Sequence, residues 1–257
     1  MTLKKKLAIA LAVPALAYAG ACIYLYTQQR KLLYDRSPKE RVSGARVLRL
    51  RHDGETLRVL RVGPKHRADA LVYFSGNAGI LSAELACFRE TFPKRTVYLV
   101  NYRGYGGSTG SPTEAGLFKD AVAVFDWVKS RHRRVALMGR SLGSGVAVFV
   151  AAMRPVEKLV LVTPYDSMEN VAKRQFPIFP ISWILHDKFA SHVHAGAIGK
   201  PTLVLLAETD EVIPRQLSDA LVGALGASVV SVDVIAGASH STIIANADYW
   251  ERVRKFV

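Results

Sequence analysis

Continuous apolar runs of strand length alternate along this chain with segments of helical periodicity, and that alternation constrains the fold more than any other feature. Two β-rich pieces come first, Ala45–Arg51 and Thr56–Val62, joined by the turn signal His52-Asp53-Gly54. Ala70–Ser75 is a continuous apolar run, followed by a helix near Leu81–Phe92 and the strand Thr96–Asn101. A Gly-rich loop leads to a helix near Thr113–Ser130, and the strand Val135–Gly139 runs straight into a helix near Leu142–Met153. Lys158–Thr163, Thr202–Ala207 and Val229–Ile235 are three further strands. A helix near Arg215–Leu225 separates the last two, and one near Ser241–Phe256 closes the chain. Apolar runs without alternation mark strands buried on both faces. The order therefore predicts an α/β fold, with one mostly parallel eight-stranded sheet, helices on both faces, and functional loops at the carboxyl ends of the strands.

With 257 residues, half of them hydrophobic, the chain can bury one large core. No period of 20 to 50 residues recurs, which excludes a repeat architecture. The net charge of +14 is spread along the sequence, with short clusters at Lys4–Lys6 and Arg131–Arg134. No basic patch is interleaved with aromatics, so nucleic acid is not an expected partner. The dispersed charge suits an anionic lipid surface or acidic substrates, and ordinary solubility charge is the alternative. Cys22 and Cys87 fall in the N-terminal stretch and in a predicted helix, so no disulfide framework is expected.

Residues Leu7 to Tyr26 carry no charged side chain, and as a helix they span about 30 Å, the thickness of a bilayer's hydrocarbon core. Lys4, Lys5 and Lys6 precede them, and Tyr18, Tyr24 and Tyr26 crowd the far end as interfacial aromatics would. A cleaved signal peptide shares the basic start and the small residues around Ala17–Ala21. The apolar run continues through Ile23-Tyr24-Leu25-Tyr26, which favours an uncleaved transmembrane helix. Charges flank both ends, so the side of the membrane stays open. The predicted organisation is an anchor over 1–28, a linker over 29–44 and an α/β domain over 45–257.

Gly139-Arg140-Ser141-Leu142-Gly143 lies between an apolar strand and a helix, the setting that gives a G-x-S-x-G pattern meaning. A serine on that sharp turn projects its hydroxyl above the sheet, and the two glycines let strand and helix approach closely. The amide of Leu142 then points where an oxyanion would form. A serine hydroxyl needs an adjacent base. Thr202–Ala207 is followed by Glu208-Thr209-Asp210-Glu211, and Val229–Ile235 by Ala236-Gly237-Ala238-Ser239-His240, so Ser141, Asp210 and His240 appear in the order this arrangement requires. Asp166 is the competing acid, and Glu208 and Glu211 read as surface charges. His192 and His194 have the spacing of metal ligands on a strand, but no carboxylate or cysteine cluster joins them, so no metal is expected. His52, His66, His132 and His186 read as surface or packing residues.

These residues resemble the α/β-hydrolase superfamily across nearly all of the chain after the anchor. The resemblance extends to a membrane-anchored subgroup without a large lid domain, which includes eukaryotic protein depalmitoylases and uncharacterised bacterial relatives. It is carried by Gln29-Arg30-Lys31-Leu32-Leu33-Tyr34, Gly76-Asn77-Ala78-Gly79, Asn101-Tyr102-Arg103-Gly104-Tyr105-Gly106-Gly107-Ser108 and Thr163-Pro164-Tyr165-Asp166-Ser167. It implies that the amides of Asn77 and Leu142 form an oxyanion hole, with Ala78 the alternative to Asn77. The chain departs from the pattern at Ser75, where relatives carry histidine, and at Asn101, where aspartate is common. The glycines of Arg103–Gly110 read as turn formers. The implied activity is hydrolysis of carboxylic esters or thioesters of an apolar acyl group through an acyl-enzyme, with no cofactor. An amidase or peptidase, and a non-catalytic membrane-tethered binding protein, are the alternatives. The connection Pro164–Pro201 is rich in large apolar side chains, and Phe179 and Trp183 on it are the expected contacts for the substrate's apolar chain. Oligomeric state is not legible.

Overall fold

A computed structural model describes residues 2–65 and 67–257, with the backbone alone for Ala8 and Ile9. His66, read above as a surface or packing residue, lies outside the described residues. The chain begins with helix α1 (Leu3–Leu33), then β1 (Arg46–His52), β2 (Glu55–Val62) and β3 (Asp69–Phe74). Helix α2 (Leu81–Thr91), β4 (Thr96–Val100), α3 (Glu114–Lys129), β5 (Arg134–Arg140) and α4 (Leu142–Met153) follow, then β6 (Leu159–Val162). Three short helices, α5 (Met168–Gln175), α6 (Ile181–Ile184) and α7 (Ser191–Ala195), fill the long connection to β7 (Thr202–Thr209). Helix α8 (Arg215–Leu225), β8 (Val229–Ser239) and α9 (Ala247–Phe256) complete the chain.

The eight strands form one sheet in the order β1-β2-β4-β3-β5-β6-β7-β8. Strand β2 runs antiparallel to both β1 and β4, and β4, β3, β5, β6, β7 and β8 are mutually parallel. The fold is that of the α/β hydrolases, as expected. Strand β3 shows why its run lacks alternation. Ala70, Val72 and Phe74 enter the core under α3 and α4, while Leu71 and Tyr73 enter the core on the opposite face with Phe88 of α2 and Tyr249 of α9. Both faces are buried, so every position is apolar.

Two boundaries differ from the sequence reading. Residues 241–246 do not start the last helix. Ser239 Nα donates to Thr242 Oγ1 at 2.9 Å, and these hydroxyls close a local turn before Asn246 caps α9 by accepting from Asp248 Nα. Helix α1 runs on to Leu33, into the stretch read as linker. An 18-residue window of it has a mean hydropathy of 2.0 and no buried share. Among the described residues it is the one helix long and apolar enough to cross a membrane, a test that a signal sequence passes too.

Candidate active site

Because β3, β5, β7 and β8 are parallel, the residues that follow them gather along one edge of the sheet. Ser141 sits between β5 and α4 at φ 50° and ψ −120°, a backbone that L-residues adopt only under strain. What holds it there is crowding beneath the turn. A Cβ on Gly139 would stand 2.2 Å from the Gly143 carbonyl oxygen, and one on Gly143 would stand 2.1 Å from that of Phe74. Strand and helix can meet this closely only because both residues are glycine. Ser144 closes the turn, its Oγ donating to the Ser141 carbonyl at 2.7 Å.

His240 follows β8 and presents Nε2 to Ser141 Oγ at 2.9 Å. Its Nδ1 meets both Asp210 carboxylate oxygens, at 3.0 and 2.9 Å. Asp210 lies in the turn after β7, where the amides of Val212 and Ile213 donate to its Oδ1 at 3.0 and 2.7 Å. Burial pushes the Asp210 carboxyl up, but the His240 contact and these two amides outweigh it and hold the group below the usual carboxylate range. Asp166 is engaged elsewhere. It accepts from the Ser167 amide and from Asn170 Nδ2, both at 2.6 Å, and so supports the start of α5 rather than His240. The structure thus brings Ser141, His240 and Asp210 together and leaves Asp166 out.

Asn77 and Leu142 flank the serine. Gly76 is so close that a Cβ there would lie 3.4 Å from Ser141 Cβ. The Ala78 amide donates to the Asp35 carbonyl at 3.0 Å, whereas among the described residues the amides of Asn77 and Leu142 have no backbone acceptor. With the Ala78 amide engaged, Asn77 and Leu142 remain of the donors considered from the sequence. The side chain of Asn77 has a role that sequence reasoning missed. Nδ2 donates to the Leu33 carbonyl at 2.7 Å, and Oδ1 accepts from the Asp35 amide at 3.0 Å and from Tyr105 Oη at 2.8 Å. It ties the loop to the end of α1.

Two more contributors went unseen. Glu211, read as a surface charge, accepts from the His240 amide at 3.1 Å. Arg140 donates Nη2 to the His240 carbonyl at 3.4 Å and lies 3.8 Å from Glu84, whose carboxyl burial pushes up against the pull of Arg140. The histidine is therefore held by its backbone on both sides. Adjacency to the serine and the acid was the one available clue to either residue.

His194 sets its ring edge-on to Phe118 and Phe149, and His192 Nδ1 contacts the Asp166 carbonyl at 3.0 Å. Among the described residues no group of three or more His, Cys, Asp or Glu side chains is placed to hold a metal. His52 pairs with Asp120, His132 is buried between Tyr98 and the Arg67 carbonyl, and the His186 ring packs on Tyr26. Gly104, Gly106, Gly107 and Gly110 all have positive φ, as turn formers do. Phe179 stacks on Tyr18 of α1 at 5.6 Å between ring centroids, and Trp183 is 85% exposed, so neither lines the cleft at Ser141.

Comparison with known proteins agrees with this geometry. The sequence model of the alpha/beta hydrolase family matches residues 71–199. An uncharacterised protein of Mycobacterium tuberculosis is 34% identical over 94% of this chain and 91% of its own length. The lysophosphatidylserine lipase ABHD12 of Xenopus tropicalis is 34% identical over 59% of this chain, which spans 45% of that lipase. Among solved structures, an esterase of Pyrococcus furiosus superposes with a TM-score of 0.69 at 18% identity, covering 86% of this chain and 97% of its own. Est1E of Butyrivibrio proteoclasticus, bound to ferulic acid, superposes with a TM-score of 0.67 at 18% identity, covering 81% and 95%. With half of its length matched by the family model and nearly all of it aligned to the mycobacterial relative, this chain belongs to the alpha/beta hydrolase family.

Proposed function

We propose that this hydrolase is a serine esterase or thioesterase, acting on an apolar acyl group through Ser141, His240 and Asp210. The observation that carries the reading is the unbroken line of contacts from Ser141 Oγ through the imidazole to the Asp210 carboxylate, each at 3.0 Å or less. His240 removes the hydroxyl proton as the oxygen attacks the carbonyl carbon, and Asp210 orients and stabilises the imidazolium. The tetrahedral oxyanion is held by the amides of Asn77 and Leu142, at about 3 kcal/mol each. Collapse expels the alcohol or thiol, which takes the proton from His240. Water then releases the acid by the same steps in reverse, and none of them calls for a cofactor. The lipase and esterase relatives point toward ester substrates, and a strained Ser141 in contact with a base has no purpose in a non-catalytic scaffold.

The test is covalent labelling by a fluorophosphonate, followed by turnover of acyl esters and thioesters. Ser141→Ala should abolish labelling, and Ser141→Ala and His240→Ala should each lower hydrolysis by about three or more orders of magnitude while the fold is kept. Near-normal turnover of an activated ester by Ser141→Ala would sink the assignment.

Helix α1 is read as an uncleaved membrane anchor, on the uncharged stretch Leu7–Tyr26 and the docking of the helix's last turns onto the domain. The full-length protein should then stay with membranes through alkaline carbonate washing. Recovery of a mature protein that starts near residue 20 or 22 would make the segment a signal peptide instead.

A further inference from the structure

The last turns of α1 are part of the catalytic domain's surface. Gln29 is buried, its Nε2 donating to the Ile184 carbonyl at 2.8 Å and its Oε1 accepting from the His186 amide at 2.7 Å. Arg30 Nε and Tyr34 Oη both reach the Asp187 carboxylate, at 3.0 and 3.1 Å. Farther back, Tyr18 Oη donates to the Ile178 carbonyl at 2.7 Å, beside its stack on Phe179. The segment 178–187 thus lies along the stretch from Tyr18 to Tyr34, a length of about 24 Å at the helical rise.

Between these fastenings the two surfaces do not close. They leave a groove of ≈ 210 Å³, walled by Leu25, Leu32 and Leu33 of α1 and by Val171, Phe176 and Ile184 of the connection. Ile178 and Trp183, exposed at 71% and 85%, belong to the same connection outside the groove's lining. Leu33, on the wall, accepts from Asn77 Nδ2 through its carbonyl, and Asn77 follows Gly76, which packs on Ser141.

We infer that the groove between α1 and the α5–α6 connection binds the acyl chain of a lipid-like ester, which enters sideways from the bilayer and reaches Ser141 past Leu33. The inference rests on the hydrolase and anchor readings above. Three observations select this occupant. The walls are mostly apolar, Leu25 on them belongs to the uncharged stretch of α1, and Leu33 on them is bonded to the loop beside the nucleophile. On that reading Ile178, bonded to Tyr18, dips into the lipid, and the exposed Trp183 faces it. The substrate contacts are therefore Val171, Phe176 and Ile184, whereas Phe179 and Trp183 hold the connection against α1 and lipid.

The experiment measures kcat/KM for p-nitrophenyl acetate, butyrate, hexanoate and octanoate with the full-length protein in detergent micelles. In the wild type the constant should rise by up to about fourfold per methylene until the groove is full. Ala172 lines the same groove from α5, and Ala172→Trp fills it. The octanoate-to-acetate ratio should fall by about tenfold or more in that variant. Should Ala172→Trp fail to fold, Leu32→Trp, on the 55% exposed side chain across the groove, must give the same flattening. A ratio unchanged from wild type in a folded variant overturns the inference while acetate turnover keeps the hydrolase reading intact. A wild type that hydrolyses none of the esters, acetate included, overturns both.

Discussion

Replacing Asn77 by alanine separates the work of its backbone from that of its side chain. The variant keeps the amide proposed for the oxyanion hole but loses three hydrogen bonds, to Leu33, Asp35 and Tyr105, at 2.7 to 3.0 Å. Bonds of this kind contribute about 0.5–1.5 kcal/mol each, so about 3 kcal/mol that fixes the loop to α1 and to Tyr105 is lost. Complete removal of an oxyanion donor costs about 10²–10³ in kcat. A donor that is present but no longer held should cost less, about 10- to 100-fold. The interaction forms in the transition state, so the loss should fall on kcat with KM changed by less than about threefold. Tyr105→Phe removes one of the three bonds and should cost about fivefold. The assay is steady-state hydrolysis of p-nitrophenyl acetate by purified full-length protein, with the thermal midpoint measured in parallel. Activity within twofold of wild type would refute the positioning role, and a loss as deep as that of Ser141→Ala would place Asn77 among the groups that react.

Other perturbations test the frame around the site. Gly143→Ala should prevent folding to the native state, because its Cβ would overlap the Phe74 carbonyl at 2.1 Å, and circular dichroism of the purified variant checks this. Arg103 forms a two-pronged pair with buried Asp120 at 2.7 and 2.8 Å, so Arg103→Ala should destabilise by about 3–5 kcal/mol and lower the thermal midpoint by about 10 °C. An unchanged midpoint would show that the ion pair contributes nothing. Asp210 has a depressed pKa, so its contribution to stability is complete above the unfolded-state carboxylate range and is lost as pH falls through the folded value. The gap in thermal midpoint between wild type and Asp210→Asn should therefore be constant above about pH 5 and narrow as pH falls below it, and a gap constant throughout would contradict the shift.

How much of this was legible in the sequence depends on how far apart the interacting residues are. Strands such as β3 were readable because burial on both faces writes an unbroken apolar run into five or six neighbouring residues. The elbow at Ser141 was readable for the same reason, since the crowding that demands Gly139 and Gly143 arises within one strand–helix unit. Asp210 and His240 required only the rule that such loops share one edge of a parallel sheet. The start of α9 was misplaced because the hydroxyls of Ser239 and Thr242 competed for backbone groups, and their choice depends on where β8 ends. Phe179 reads from the sequence as a substrate contact, and in the structure its ring stacks on Tyr18. The hydrogen bond beside that stack joins residues 160 positions apart in the sequence, and nothing local encodes it.

The same distance argument explains why α1 reads as an anchor in the sequence and as a wall of the domain in the structure. Its 31 residues extend about 46 Å, whereas a hydrocarbon core takes up about 30 Å. With Leu7–Tyr26 in lipid, the turns from Thr27 to Leu33 must emerge from it, and these are the turns that bear Gln29 and Arg30. A free tether would leave those side chains in water. Here Gln29 is buried and three successive contacts, at Ile184, His186 and Asp187, fix the helix to the connection that follows Asp166. If α1 is the anchor proposed above, these contacts would oppose a swivel of the domain about it. Leu33 joins Asn77 directly, so the loop beside Ser141 is tied to the end of α1. On the proposed anchor reading, that tie would bring an ester bond at the headgroup level of the bilayer near the nucleophile without the acyl chain leaving apolar surroundings.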